Sequence, residues 1–206
     1  MKHTSWFRPG GTAMKWRKRT YQSATDEDLI QWVAQKDKRA FDTLYERYAP
    51  SLYRYLYRLL WKNQPLAEDF LQDTFMRVLQ AAERFEEGRT FRPWIYSIAH
   101  NLCKNEYRRN AIRGEAVELG EDMTWEMPEA ETIHDTTQWR TSLAEAVNGL
   151  SEAHKSVFLL RYEQHLELAE IAEILAVPLG TVKSRMFHLQ KRLAKELAAF
   201  QILLES

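Results

Sequence analysis

The chain has a single cysteine, Cys103. That excludes an intramolecular disulfide framework and any zinc site built on paired thiolates, and it suits a reducing cytoplasm. Glycine and proline are sparse, seven and six in 206 residues. Sandwiches and barrels need far more turn residues, and β-branched runs are few, so the expectation is an all-α chain. No apolar run approaches the ~18 residues that a membrane span requires. The basic N-terminus has no apolar core, so it does not read as a secretory signal. Net charge is also missing, since 29 Lys and Arg balance 29 Asp and Glu. That balance conceals a segregation. Residues 1–20 carry six cations and no acid, whereas residues 114–139 carry eight acids and no Lys or Arg.

What the chain does have is 45% hydrophobic residues, with nine Tyr, nine Phe and seven Trp. That is enough for one or two small helical cores. The most informative stretch is Glu167 to Leu197. Leu168, Ile171, Ala172 and Leu175 recur at i, i+3, i+4 and i+7, which gives one buried helical face. Ala176-Val177-Pro178 breaks the period, and Pro178 suits the start of a new helix because its missing N–H would be orphaned there anyway. Val182, Met186, Leu189, Leu193 and Leu197 then set a second period, with Ser184, His188 and Lys191 pointing away. Between Pro178 and Lys195 lie five cations (Lys183, Arg185, Lys191, Arg192 and Lys195) and no acid. The first helix carries Glu167, Glu170 and Glu173. Two short helices whose second has a basic outer face read as a helix-turn-helix that offers that second helix to DNA. The alternative is an amphipathic pair whose cations are merely solvated. Gly180 early in the second helix would let a phosphate approach closely.

Taken in order, residues 1–24 are polar and basic and read as a disordered arm. Thr25 followed by Asp26, Glu27 and Asp28 is a helix start. A second helix from near Lys38 keeps Phe41, Leu44, Tyr45, Tyr48, Leu52, Tyr55, Leu56, Leu59 and Leu60 at helical spacing. Pro65 starts a third, with Leu66, Phe70, Phe75, Val78 and Leu79 inward and Glu68, Asp69, Gln72, Asp73 and Arg77 on the polar side. Asp69 and Asp73 at i and i+4 could suggest a metal or acid–base pair, but nothing completes such a site, and the face suits a basic protein partner instead. The loop Glu86–Thr90 leads into a helix from Phe91 or Arg92. From Gly88 to Arg113, six cations face one acid, interleaved with Phe91, Trp94, Tyr96 and Tyr107. Such a run can follow phosphates and stack on unstacked bases, or it can be an aromatic core with basic rims. Residues 114–139 lose all periodicity and read as a flexible acidic linker. Residues 140–206 form the second domain. Its first helix uses Leu143, Ala146, Val147 and Leu150. Ser151 caps the next, where Phe158 and Tyr162 supply core and Arg161 lies outside.

Three segments resemble the sigma-70 family. VPLGTVKSR after LAEIAEIL is similar to the region that reads the −35 promoter element. EDFLQDTF is similar to the segment that grips the β′ clamp helices of RNA polymerase. FRPWIYSIAHN is similar to the −10 reading and melting segment. The acidic linker leaves no room for a further folded domain, as in the extracytoplasmic-function (group IV) class. The resemblance implies a non-catalytic protein with no cofactor, metal or small-molecule substrate, which binds core polymerase (β′ clamp helices and β flap) and promoter DNA and is held by an anti-sigma protein in the cytoplasm. It implies a core-binding role for Asp69, Gln72, Asp73 and Phe75. It implies −10 contacts for Arg89, Phe91, Arg92, Trp94, Tyr96, Asn101, Lys104, Asn105, Arg108 and Arg109. It implies −35 contacts for Thr181, Lys183, Ser184, Arg185, His188, Lys191 and Arg192. The domains would be residues 25–113 and 140–206. Ala176 stands where the family commonly has Gly, so it must avoid the left-handed cap conformation or adopt it at a cost of about 1 kcal/mol.

A LuxR-like helix-turn-helix regulator is the alternative. It would need an α/β receiver, and no strand pattern occurs in residues 25–113. An enzyme acting on nucleic acid has less support, since Cys103 has no base partner and reads as a small core residue.

Overall fold

The structure, a computed structural model, describes residues 20–113, 143 and 146–204, with side chains as far as residue 195. The expected basic arm over residues 1–19 and the acidic linker over residues 114–139 lie outside the described residues. Among the described residues there is no strand.

Each of the first three helices starts at a side-chain cap that the sequence supplies. Helix α1, Asp26–Ala34, begins at Thr25, whose Oγ1 accepts the Asp28 amide at 3.1 Å. Helix α2, Lys38–Leu59, begins at Asp37, whose carboxylate accepts the Arg39 and Ala40 amides. It runs through Pro50 because Tyr48, Ala49 and Leu52 on either side are buried, and that burial outweighs one lost hydrogen bond. Trp61 and Lys62 take positive φ in the tight turn at its end. Asn63 then caps α3, Gln64–Ala81, with Pro65 in its first turn. Helix α4 spans Phe91–Arg113. Its start is capped across the bundle, with the Phe91 amide donating to Glu27 Oε1 of α1 at 2.9 Å.

The core of this domain is the inner face of α2, where Leu44, Leu52, Tyr55, Leu56 and Leu59 meet Leu29 and Ile30 of α1, Val78 of α3 and Ile95 and Ala99 of α4. Two inward assignments differ from the sequence pattern: Tyr45 is 43% and Leu79 is 42% exposed. Both lie at the edge of an apolar stripe wider than the core beneath it. Residues 20–24, read from sequence as part of a disordered arm, are ordered. Tyr21–Ser23 form a 3-10 turn, and the Arg47 guanidinium bonds the carbonyls of Tyr21, Gln22 and Ala24 and the Asp26 carboxylate.

The second domain comprises helical residues at Leu143 and Ala146–Asn148, α5 over Glu152–Phe158, α6 over Leu168–Leu175 and α7 over Leu179–Leu204. Helix α5 passes into a π-helical turn, Leu159–Glu163. One sequence expectation is corrected in that turn: Tyr162 is 43% exposed instead of buried. Arg161 stays at the surface, its guanidinium donating to the Leu166 carbonyl at 2.9 Å and pairing with Glu167 at 3.2 Å. Ser151 sits at the cap position of α5, but its hydroxyl pairs with His154 Nδ1 at 2.7 Å and does not cap an amide. Helix α6 begins with the Glu167 amide donating to Glu170 Oε2 at 2.8 Å. It ends at Ala176, which takes φ 52°, ψ 49°. Of the two options open to this alanine, it therefore adopts the left-handed cap.

The two domains pack against each other. Helix α6 lies on α4, and α5 touches α2, so that one buried apolar cluster runs from Leu29 to Leu189.

Candidate nucleic-acid interface

The turn at Ala176–Pro178 places α7 across α6, and Val182, Met186 and Leu189 anchor α7 with exposures of 8% or less. That burial fixes its opposite face. Lys183, Ser184, His188, Lys191 and Arg192 are exposed there, while Thr181 and Arg185 are half-buried. No acid on α7 interrupts these residues, so the face has positive potential along three turns. Among the described residues an added Cβ at Gly180 would meet nothing within 4 Å, so packing within the domain does not require the glycine. One residue on this face is not marked by the charge pattern. Phe187 is 61% exposed, its ring 5.5 Å from that of His188. An exposed aromatic on a basic helix is of a residue type that can meet a thymine methyl group. The sequence signal for it is its place between Ser184 and Lys191 on the polar arc.

Helix α4 divides in two. Its second half carries Asn101, Lys104, Asn105, Arg108 and Arg109 exposed along one face. Arg109 pairs with Glu106 at 3.3 Å. The first half is covered. Phe91 is fully buried and Trp94 is 8% exposed, each packed edge-on against Phe85. The aromatic run here is a core with basic rims, and in this arrangement neither ring presents a face to a base. Tyr96, 1% exposed, donates its hydroxyl to Gln164 Oε1 of the second domain at 2.5 Å. Arg92 donates to the Gln164 carbonyl oxygen. Arg89 reaches Glu173 Oε1 at 3.0 Å.

Deeper in the same contact, Arg58 Nη1 lies 2.9 Å from Glu163 Oε1. The approach is off the hydrogen-bonding direction, and among the described residues that oxygen accepts no hydrogen bond. Burial pushes the Glu163 carboxyl up, with Arg58, Arg54 and Lys155 pulling the other way. His100 bonds Tyr55 Oη at 3.1 Å, and burial, with Lys104 and Arg185 beside it, lowers its pKa to about 4. Arg185 of α7 and His100 of α4 therefore share one neighbourhood. Cys103 is buried, and burial pushes its thiol well up, which suits an inert core position.

On α3, Glu68, Asp69, Gln72 and Asp73 are exposed. Phe75 is not: at 3% exposure it packs between Phe41 at 5.9 Å and Tyr45 at 4.7 Å. The apolar side chains that do reach the surface beside this acidic stripe are Tyr45, Met76 (49%) and Leu79. Sequence periodicity assigns Tyr45 and Leu79 to the core, and the structure puts them at its edge. Among the described residues no group of His, Cys, Asp and Glu could hold a metal ion, and no helix is long and apolar enough to cross a membrane.

Residues 44–112 match the family model described as Sigma-70 region 2, and residues 140–193 match that described as Sigma-70, region 4. The RNA polymerase sigma factor YlaC of Bacillus subtilis is 30% identical over 167 residues, which are 79% of this chain and 94% of that protein. The ECF RNA polymerase sigma-E factor of Haemophilus influenzae is 27% identical over 187 residues, 85% of this chain and 97% of that protein. Among solved structures, CnrH in complex with the cytosolic domain of CnrY has a similar fold, with a TM-score of 0.63 at 23% identity over 84% of this chain and 97% of that one. The sigma factor RpoE in complex with the anti-sigma factor NepR from Bartonella quintana has a TM-score of 0.60, also at 23% identity, over 77% of this chain and 96% of that one.

Proposed function

The chain belongs to the extracytoplasmic-function sigma factors of the sigma-70 family, which direct RNA polymerase to specific promoters, and on that premise we propose how its surfaces share the work. The second domain reads the −35 element with α7 in the major groove. Lys183, Lys191 and Arg192 meet phosphates, while Ser184, Arg185, Phe187 and His188 lie toward base edges. The first domain captures −10 nucleotides with Arg89, Arg92 and Tyr96 and with the open stripe of Asn101, Lys104, Asn105, Arg108 and Arg109. Asp69, Gln72 and Asp73, with Met76 at their side, dock on the β′ clamp helices, and Phe75 holds that surface from beneath. The observation that supports this division most directly is the charge on α7: no acid between Leu179 and Lys195, on a helix whose partner α6 is acidic. The work is binding and not catalysis, in the cytoplasm where polymerase is. An anti-sigma protein that covers these faces completes the reading, by analogy with the RpoE–NepR complex.

Lys183→Ala and Lys191→Ala should each weaken −35 duplex binding several-fold and reduce the salt slope by about one counterion, with polymerase binding intact. Asp73→Ala should do the reverse. Equal losses of polymerase affinity in all three would defeat the assignment.

A further inference from the structure

Helix α7 rests on the second domain through Val182, Met186 and Leu189, each 8% exposed or less. Such contacts hold a helix down, but burial has no preferred direction, so they leave it free to roll about its axis. A hydrogen bond is directional and resists that roll. The structure places such a tie at the middle of the basic face. Tyr162 Oη donates to Met186 Sδ at 3.8 Å and accepts from Gln190 Nε2 at 3.3 Å. Met186 and Gln190 are four residues apart, so one hydroxyl brackets a turn of α7. Between them Phe187 and His188 are exposed. The hydroxyl itself sits on a firm base. Tyr162 belongs to the π-helical turn Leu159–Glu163, and the Gln164 amide donates back to the Leu159 carbonyl at 3.1 Å. Leu159 and Leu160 of that turn are fully buried, and the Tyr162 ring packs on Phe158 with centroids 5.1 Å apart. With 43% of Tyr162 exposed, its ring adds little to the core. What a tyrosine gives here beyond a phenylalanine is a group that donates and accepts.

We propose that Tyr162 is a positioning residue for promoter reading: it fixes the roll of α7 on its domain, and with it the aim of Phe187 and His188 at base edges. The proposal rests on the −35 reading of α7. At the ~5–6 Å radius of a helix with its side chains, a roll of about 10° carries a side-chain tip about 1 Å. A contact to a base edge is lost over such a shift, because the distance window of a hydrogen bond is only about half an ångström wide. Lys183 and Lys191, on flexible stems, follow a phosphate through it. Loss of the hydroxyl therefore blurs sequence preference and spares the affinity that phosphate contacts supply.

The test uses the full chain as parent, Tyr162→Phe, Gln190→Ala and the double variant. Each is bound to a duplex pool randomised over about 12 base pairs, just over one helical turn, and the recovered DNA is sequenced. Binding of the unselected pool across a salt series measures the affinity that carries no sequence information. Tyr162→Phe should lower the parent's preference for its favoured bases roughly fivefold at one or two adjacent positions, the discrimination that one base contact supplies. Binding of the unselected pool and its salt slope should match the parent. Thermal unfolding should barely move, because an exposed hydroxyl exchanges its partner for water. In the Gln190→Ala background Tyr162→Phe should lose most of its effect, since the two side chains act through one bond. If Tyr162→Phe keeps the parent's preferences, or weakens every sequence alike, the positioning role is overturned. Full additivity of the two substitutions overturns it as well. A parent chain that enriches no sequence removes the −35 reading itself, and the proposal with it.

Discussion

Ala176→Gly should stabilise the second domain. Ala176 sits at φ 52°, ψ 49°, where its Cβ crowds the following carbonyl at a cost of about 1–2 kcal/mol. Glycine removes that cost but gives the unfolded chain extra freedom worth about 0.5–1 kcal/mol. The residue is exposed, so no packing is lost. The expected balance is a gain of about 0.5–1 kcal/mol, which for a domain of this size raises Tm by roughly 3–6 °C. Urea unfolding followed by far-UV circular dichroism measures it, with an unchanged m-value as the sign that only stability moved. Ala176→Val is the control and should lose stability, since a β-branched residue tolerates the left-handed region worst. If glycine destabilises, or glycine and valine behave alike, the turn is not held in the left-handed conformation and the reasoning fails.

Asp37→Ala should cost about 1–2 kcal/mol, because the carboxylate caps two amides of α2 and accepts Tyr21 Oη at 2.9 Å. Asp37→Asn should recover most of this, and thermal unfolding distinguishes the two. His100 makes stability depend on pH. Its pKa is lowered in the folded chain to about 4 from 6.5, so the folded form holds the neutral ring. That contribution is complete above pH 6.5 and is lost as pH falls towards 4. By pH 5 the loss should amount to about 2 kcal/mol. Glu163, whose pKa is raised, titrates in the opposite sense and offsets part of the fall. The check is the difference between parent and His100→Gln, measured by urea unfolding at pH 7 and pH 5. Parallel slopes would show that the ring is not buried neutral.

Much of the fold is legible in the sequence because its causes are local. Thr25, Asp37 and Asn63 each accept amides two or three residues ahead, and spacing alone reveals the helical faces of α2, α6 and α7. The polar arc of α7 can be written down from the sequence, since burying Val182, Met186 and Leu189 leaves Lys183, Ser184 and His188 nowhere else to point. Only tertiary structure could decide the roles of the aromatics. Phe91, Trp94 and Phe75 have the residue type for stacking or docking, but whether a ring faces solvent depends on what a distant helix lays over it. The π-helical turn is equally hidden, because one inserted residue in a helix changes no local propensity while it moves Tyr162 outward and turns Gln164 towards α4. Periodicity describes a helix against a generic core. Which partner actually covers each face is set by residues far along the chain, 72 positions away for Arg92 and 68 for Tyr96 in their bonds to Gln164.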